Sequence, residues 1–312
     1  MAKYLVTGGA GFIGSNIAEG LLRRGDDVVV LDDLSTGYER NIAHIRDDIE
    51  FIKGDVRDAE TVRRALGGVE FVFHEAALAS VPRSIDDPVL ATEVNVRGTL
   101  TMLEEARRAG VRRFVYAASS SAYGDTEVLP KVESMQPRPL SPYAASKLAG
   151  EYYCSVYATV YGLSTIALRY FNIFGPRQDP KSQYAAVIPI FVAHLLAGTR
   201  PTIYGDGEQS RDFTFIENVV EANLLAAACE QAHGQVVNIA CGERYTLNEL
   251  FGRLRGLVGR EAEPEYAAPR QGDVRDSMAD ISAARSLIGY AVKVPFEEGL
   301  RRTVEWYRQG TR

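Results

Sequence analysis

A glycine-rich turn near the start of this 312-residue chain constrains its fold more than any other feature. Gly8, Gly11 and Gly14 follow a short apolar run at residues 4–6 and open an amphipathic stretch. Glycine permits a tight turn and lets the backbone approach a phosphate, while the next helix offers unpaired N–H groups and a partial positive charge. The strand–turn–helix context favours a dinucleotide-binding unit over a plain tight turn.

The rest of the chain to about residue 171 alternates short apolar runs with longer amphipathic stretches. This alternation predicts an α/β fold with a doubly wound parallel sheet, the Rossmann fold. Strands are predicted at residues 4–6, 27–31, 51–52, 69–74, 114–118 and 164–170, and helices at 14–24, 61–66, 94–108 and 142–161.

Beyond Asn172 the pattern loosens into loops rich in Gly, Pro, Asp and Arg. Helices are predicted at residues 188–197 and 247–258, and a further buried strand at 236–239. We therefore expect a Rossmann domain at residues 1–171 that is revisited by roughly 213–240. A smaller interleaved C-terminal lobe, from 172–212 and 241–312, would bind the substrate.

Carboxylates at two strand ends indicate which dinucleotide binds. Asp32 ends the second predicted strand, where it can accept both ribose hydroxyls of an adenosine and would repel a 2′-phosphate. No Lys or Arg follows until Arg40, so NAD is favoured over NADP. Asp55 closes the third strand, where it could meet the adenine edge or cap a turn, and its spacing leaves both roles open.

Tyr143 and Lys147 are four residues apart on a predicted helix and therefore share one face. A nearby ammonium favours the phenolate and is expected to lower the pKa of the tyrosine, which could then act as a base. Ser119, Ser120 and Ser121 end the fifth strand, at the sheet edge where ligands bind in open α/β folds. The spacing does not decide which of these serines meets the substrate.

Composition excludes several other classes of protein. The formal net charge of −6 disfavours nucleic acid as a partner, because phosphate binding needs a basic surface. The three cysteines form no C-x-x-C and the four histidines have no ligand spacing, so no disulfide framework or metal site is predicted. A strand begins directly after Met1–Lys3 and no apolar run could span a bilayer, which leads us to expect a cytoplasmic protein without a membrane partner.

Eight motifs together resemble the extended short-chain dehydrogenase/reductase family and, within it, the UDP-sugar 4-epimerases. The resemblance covers residues 7 to about 280. The motifs are TGGAGFIG at 7–14, LDDLSTG at 31–37, HEAA at 74–77, NVRGT at 95–99, SSSAYG at 119–124, YAASK at 143–147, RYFN at 169–172 and RDF at 211–213.

The resemblance implies the roles of individual residues. Tyr143, Lys147 and Ser119–Ser121 would be catalytic. NAD would be bound by Gly8, Gly11, Phe12, Ile13, Gly14, Asp32, Asp33, Leu34, Ser35, Thr36, Gly37, Asp55, Val56, Ala76, Ala77, Leu78, Ala79, Asn95, Tyr143, Lys147, Tyr170 and Phe171. The UDP-sugar would be bound by Ser80, Ser119, Asn172, Val187, Tyr204, Arg211, Arg270, Asp273 and Ser277.

The expected activity is epimerisation of UDP-sugars at carbon 4 through a transient 4-keto intermediate. Relatives that dehydrate or decarboxylate the sugar typically carry an acid in the fifth-strand motif, and residues 119–121 contain none. Ser277 stands where glucose-restricted relatives carry a tyrosine, so both the N-acetylglucosamine/N-acetylgalactosamine and the glucose/galactose pairs are expected substrates. A UDP-glucuronate 4-epimerase, a dehydratase, or a non-catalytic NAD or nucleotide-sugar sensor remain alternatives.

The resemblance also implies a homodimer. Helices 94–108 and 142–161 of two copies would form an intermolecular four-helix bundle. The second helix is rich in alanine and tyrosine for an exposed surface, which agrees with this expectation.

Overall fold

A seven-stranded parallel sheet forms the centre of the computed structural model, which describes residues 1–180, 186–269 and 274–310. Its order, β11-β6-β5-β4-β1-β2-β3, is that of a doubly wound Rossmann sheet extended by one strand, as predicted. The strands of this sheet are β1 (Lys3–Thr7), β2 (Asp27–Asp32), β3 (Glu50–Lys53), β4 (Phe71–His74), β5 (Arg113–Ser119), β6 (Thr165–Tyr170) and β11 (Gln235–Ile239).

Register brings several strand ends to one edge of the sheet. Thr7, the last residue of β1, pairs with Leu31 of β2 and with His74 of β4. The glycine turn, Asp32 and the segment after His74 therefore leave the sheet side by side. Strands β5 and β6 are buried at nearly every residue, as expected for parallel strands covered on both faces.

Helices cover both faces of the sheet, with α1 against α8 on one side and α2, α5 and α6 on the other. The helices are α1 (Phe12–Arg23), α2 (Ala59–Ala65), α3 (Val81–Asp86), α4 (Pro88–Thr92), α5 (Gly98–Arg108), α6 (Pro142–Tyr161), α7 (Val187–Ala197), α8 (Ile216–Ala228), α9 (Leu247–Val258), α10 (Ser282–Ile288) and α11 (Phe296–Gly310).

Local signals explain why α6 begins and ends where the sequence predicts. Ser141 caps its first turn by accepting from the Ala144 N–H at 3.1 Å, and Pro142 occupies the first helical position. Gly162 ends it in the left-handed conformation that a helix C-terminus favours.

The observed helices differ from the predicted ones in two ways. The helix expected at 94–108 begins earlier, because α4 runs through a π-helical turn at Glu93–Arg97 into α5. Helices α8 and α11 were not predicted. Helix α8 has no side-chain cap, so its start lacks the usual signal, whereas Phe296, Leu300 and Val304 of α11 repeat at a helical spacing that could have revealed it.

The C-terminal part adds short strand pairs beside the sheet and shares its core. The pairs are β7 (Ile173–Phe174) with β10 (Thr214–Phe215), β9 (Ser210–Arg211) with β12 (Tyr245–Thr246), and β8 (Thr202–Tyr204) with β13 (Glu265–Ala267). One hydrophobic cluster runs from β1 through α8 to α11. The division into two lobes stays a prediction.

Candidate active site

A first cleft runs along the carboxyl edge of β1, β2, β3 and β4 and contains most of the residues predicted to bind NAD. Its lining comes from the turn after β1, the loop after β2 and the segments after β3 and β4. It is formed by Gly8, Gly11, Phe12, Ile13, Gly14, Leu31, Asp32, Asp33, Ser35, Thr36, Gly37, Gly54, Asp55, Val56, Glu75, Ala76, Ala77, Ala79 and Val94.

The glycines of this cleft leave no space for side chains. Gly8 has a φ of +66°, and a Cβ there would lie 2.8 Å from the Ala76 nitrogen. A Cβ on Gly14 would lie 2.4 Å from the Gly8 carbonyl oxygen. Gly11 begins α1 without a side-chain cap, so the first N–H groups of the helix face the cleft unpaired by any side chain. This backbone cradle fits the pyrophosphate of a dinucleotide.

Asp32 is held rigidly beneath the loop after β2. One oxygen accepts from the Ala10 N–H at 2.9 Å and the other from the Leu34 N–H at 2.8 Å. Burial raises the pKa of this carboxyl, and the two N–H donors partly oppose that shift. The remaining lone pairs of Asp32 are available to ribose hydroxyls in the cleft.

Asp55 closes a local turn, and its predicted contact with adenine stays a prediction. It accepts from the Arg57 N–H at 2.8 Å and pairs with the Arg57 guanidinium, while it also lines the first cleft. The arginine lowers the pKa of Asp55, so it is ionised at neutral pH.

Some predicted NAD residues lie behind the cleft rather than in its lining. Asn95 is buried, accepts from the Leu78 N–H at 2.7 Å and donates to the Ser146 hydroxyl at 2.9 Å. Its amide therefore holds the segment that contains Ala77 and Ala79 in place. Leu34 adopts a φ of 62°, and Tyr170 directs its hydroxyl to Glu75.

Tyr143 and Lys147 stand on the first turns of α6, beside the end of β5. The Ser119 hydroxyl lies near enough to the Tyr143 phenol to lower its pKa, which distinguishes Ser119 from the other two serines. Ser119 in turn accepts from the Ser121 hydroxyl at 2.9 Å. The buried Lys147 ammonium donates to the Ala117 carbonyl at 2.8 Å, which fixes it against β5.

The pKa of Tyr143 is shifted opposite to the sequence-based expectation. Burial raises it, interaction with the Ser119 hydroxyl lowers it, and the negative charge of Glu75 raises it again. Burial makes the largest contribution, and the Lys147 ammonium is bonded to the Ala117 carbonyl. Lys147 itself has a pKa lowered to about 8 by burial.

A second cleft opens on the other side of Ser119, between α3, the loop before α6 and the C-terminal part. It brings together Ser119–Ser121, Asn172, Arg211 and Ser277, which the sequence predicts to contact substrate. Its lining is Val81, Ile85, Ser119, Ser120, Ser121, Tyr123, Gly124, Lys131, Leu140, Ser141, Ala144, Phe171, Asn172, Arg211, Val274 and Ser277.

Other predicted substrate residues lie elsewhere in the structure. Ser80 caps α3 by accepting from the Arg83 N–H at 3.3 Å. Val187 begins α7 and packs on the hydrophobic core. Tyr204 lines a neighbouring depression with Asp206 and Arg275. Arg270 and Asp273 lie outside the described residues.

Two charged residues of the clefts were not predicted. Glu75 follows β4 and lines the first cleft, and its position directly after a buried strand was a usable signal. Lys131 lines the second cleft and is 2% exposed. It comes from a long loop in which no local pattern marks it.

Comparison with known proteins decides the family. Residues 4–240 match the model of the NAD dependent epimerase/dehydratase family. The chain belongs to this family. It is 43% identical over 310 residues to a UDP-glucose 4-epimerase of Mycolicibacterium smegmatis, which covers 98% of both chains.

Solved structures of family members superpose closely on this chain. A UDP-glucose 4-epimerase of Thermotoga maritima with UDP-glucose matches at a TM-score of 0.95 and 40% identity, over 99% of this chain and 100% of that one. A UDP-N-acetylglucosamine 4-epimerase of Methanobrevibacter ruminantium M1 in complex with UDP-N-acetylmuramic acid matches at a TM-score of 0.95 and 38% identity, over 99% of each chain.

Membership in the family makes NAD the cofactor, and the first cleft has the backbone cradle and carboxylates that NAD needs. Within the described ranges, no three His, Cys, Asp or Glu side chains are grouped so that they could hold a metal ion. Across the same ranges, every helix is too short or too polar to cross a membrane.

Proposed function

We propose that this protein interconverts UDP-sugars that differ in configuration at carbon 4, through a transient 4-keto sugar. One observation carries the proposal: Tyr143 and its neighbour Ser119 stand between the two clefts. Ser119 lines the second cleft, and Tyr143 interacts electrostatically with Glu75, which lines the first. A sugar hydroxyl in the second cleft could therefore reach both a base and the nicotinamide end of the cofactor.

Tyr143 would take the proton from the hydroxyl at carbon 4 and later return it. Ser119 would hold the sugar oxygen beside the phenol, and Lys147, fixed on Ala117, would keep a positive charge next to the base. Bound NAD supplies the hydride acceptor and a positively charged ring that favours the phenolate. Because burial alone raises the pKa of Tyr143, we infer that the base forms only with the cofactor in place.

The described part of the second cleft contains no acid of the kind that a dehydratase needs. Among these lining residues, the charged groups are Lys131 and Arg211, both cationic. Serines occupy the end of β5, so this strand offers hydroxyls to the sugar. This favours oxidation followed by reduction at one carbon over loss of water.

Arg211 is placed to bind the diphosphate. It lies on β9, lines the second cleft and bonds to the Ser210 and Arg275 carbonyls at 2.9 and 3.1 Å. These bonds fix the guanidinium at the wall of the second cleft, and a guanidinium suits phosphate oxygens.

Ser277 would set the choice of sugar. It is 9% exposed and its N–H donates to the Ser210 carbonyl at 3.1 Å, so its backbone is fixed while its small side chain lines the second cleft. A serine leaves room for an acetamide at carbon 2. We propose that the protein accepts both UDP-N-acetylglucosamine and UDP-glucose.

Lys131 favours a second candidate, a UDP-glucuronate 4-epimerase. Its ammonium donates to the Thr126 carbonyl, and within the described ranges no carboxylate lies within ion-pair distance. A buried ammonium on the wall of the second cleft could pair with a sugar carboxylate.

The test is incubation of the purified protein with UDP-glucose, UDP-N-acetylglucosamine and UDP-glucuronate, followed by chromatography and mass analysis. Epimers of unchanged mass from the first two sugars support the main proposal. Selective turnover of UDP-glucuronate, lost in Lys131→Met, would support the second candidate. A product lighter by one water, or no product, would refute both.

We also propose a homodimer through α5 and α6. Tyr152, Val156 and Val160 form an exposed stripe along α6, and the first and last of these are 59% and 66% exposed. Light scattering should give twice the mass of one chain at micromolar concentration, and Val156→Arg should give a monomer. A monomer mass for the unaltered protein would refute the interface.

A further inference from the structure

Glu75 is a half-buried carboxylate at the end of the first cleft that Tyr143 and Lys147 approach. It directly follows β4, and its N–H donates to the Thr7 carbonyl at 3.3 Å. It lines the first cleft at the end of β4, two strands away from Asp32 at the end of β2. The proposed proton transfer uses Tyr143 and Lys147 and gives Glu75 no role.

Each element around Glu75 contributes a polar group. Tyr170 of β6 donates its hydroxyl to the Glu75 carboxylate at 2.9 Å, and Asn223 of α8 donates to that same hydroxyl at 2.8 Å. Lys147 and Tyr143 of α6 both interact electrostatically with the carboxylate.

The carboxylate has one hydrogen-bond donor and no close ion-pair partner among the described residues. Tyr170 supplies the hydrogen bond, and the Lys147 ammonium is bonded to the Ala117 carbonyl instead. A partly desolvated negative charge with so little compensation is stabilised when a bound cation lies beside it.

We propose that Glu75 is the counter-charge of the oxidised nicotinamide, so that it favours NAD over NADH in the bound state. This rests on the assignment of the first cleft to NAD and deepens the proposed function. Oxidised nicotinamide carries a positive charge and the reduced ring is neutral, so a fixed carboxylate nearby stabilises only the oxidised form. The enzyme would thereby limit the population of 4-keto sugar and NADH that could escape.

The effect of the Glu75 charge can be measured apart from that of the other titratable groups nearby, because these keep their protonation state below neutral pH. Burial raises the pKa of Glu75 to about 7, while His74, adjacent in the chain, has its pKa lowered to about 3 and stays neutral. Lys147 remains an ammonium and Tyr143 and Tyr170 remain phenols on acidification from neutral pH. Over that range Glu75 is therefore the group facing this end of the cleft that changes charge.

The experiment equilibrates the holoenzyme with mixtures of NAD and NADH and determines the ratio retained on the protein. Glu75→Gln keeps an oxygen that can accept from Tyr170 but removes the charge, and we expect the preference for NAD over NADH to fall by about tenfold.

Glu70→Gln is the matched control. Glu70 precedes β4 as Glu75 follows it, and it forms a surface ion pair with Arg112 at the far edge of the sheet. Its substitution should leave the ratio unchanged.

An unchanged ratio in Glu75→Gln would overturn the proposal. Should Glu75→Gln fail to fold, acidifying the unaltered protein from neutral pH tests the same charge, because protonation of Glu75 should lower the preference for NAD. A ratio constant from about pH 7 to about pH 5 would overturn the proposal. No sugar enters this measurement, so it remains readable even if the protein converts no UDP-sugar.

Discussion

The two clefts differ in the chemical groups that line them. The first is formed mainly by backbone and small side chains from segments that each follow a strand of the sheet, between residues 8 and 94. The second is formed by side chains from α3, the end of β5, the residues after β6, β9 and residues 274–277. We therefore expect backbone geometry to hold the dinucleotide, whereas a few side chains, set far apart in sequence, would choose the sugar.

The largest expected effect is at the boundary between the clefts. If the two clefts bind their ligands independently, Tyr143→Phe should stop turnover without releasing either ligand. Losing a positioned acid–base group costs on the order of 10²–10⁴-fold in rate. Steady-state assay and calorimetric binding of the UDP-sugar measure the two properties separately. Near-normal turnover would mean that another group is the base.

The next largest effect tests the backbone cradle. Gly14→Ala would place a Cβ 2.4 Å from the Gly8 oxygen, so the turn must shift and NAD should be lost on purification, with turnover down by about 10²-fold. Gly252→Ala on α9 is the control, because its Cβ would meet nothing within 4 Å. Denaturing each protein and assaying the released nucleotide gives the occupancy. NAD retained by Gly14→Ala would contradict the assignment of the first cleft.

A smaller and selective effect is expected in the second cleft. Ser277→Tyr should reduce turnover of UDP-N-acetylglucosamine by about 10- to 100-fold while UDP-glucose is retained, because a filled pocket excludes the larger group. Competition between the two sugars in one reaction measures the selectivity. Equal losses for both sugars would show that Ser277 does not face carbon 2.

The smallest effect concerns the charge of the first cleft. Asp32→Asn should lower the preference for NAD over NADP by about tenfold, because the carboxylate that would repel a 2′-phosphate becomes neutral. Asp33 remains and continues to oppose the extra phosphate. Exchange of the bound nucleotide against an equal mixture of NAD and NADP measures the preference, and an unchanged preference would move this discrimination away from Asp32.

The same contrast explains how much could be predicted from the sequence. The sheet, its order and the glycine turn follow from local patterns, because each strand and turn carries its own signal. Lys131 could not be predicted, since a contact made by a loop residue depends on tertiary packing. The prediction that the pKa of Tyr143 is lowered was wrong, because spacing alone gives neither the burial of the phenol nor the bond from Lys147 to Ala117.

The return of the chain to the sheet at β11 has a consequence during synthesis. Strand β6 ends at Tyr170, and its outer neighbour is complete only at Ile239. A ribosome that adds about 5–20 residues per second needs roughly 3–14 seconds for that interval. Throughout it, the nascent chain presents an apolar strand with unpaired backbone groups along one edge. Of the residues that line the second cleft, Phe171, Asn172 and Arg211 are made during this interval, while the sheet beside them is still open.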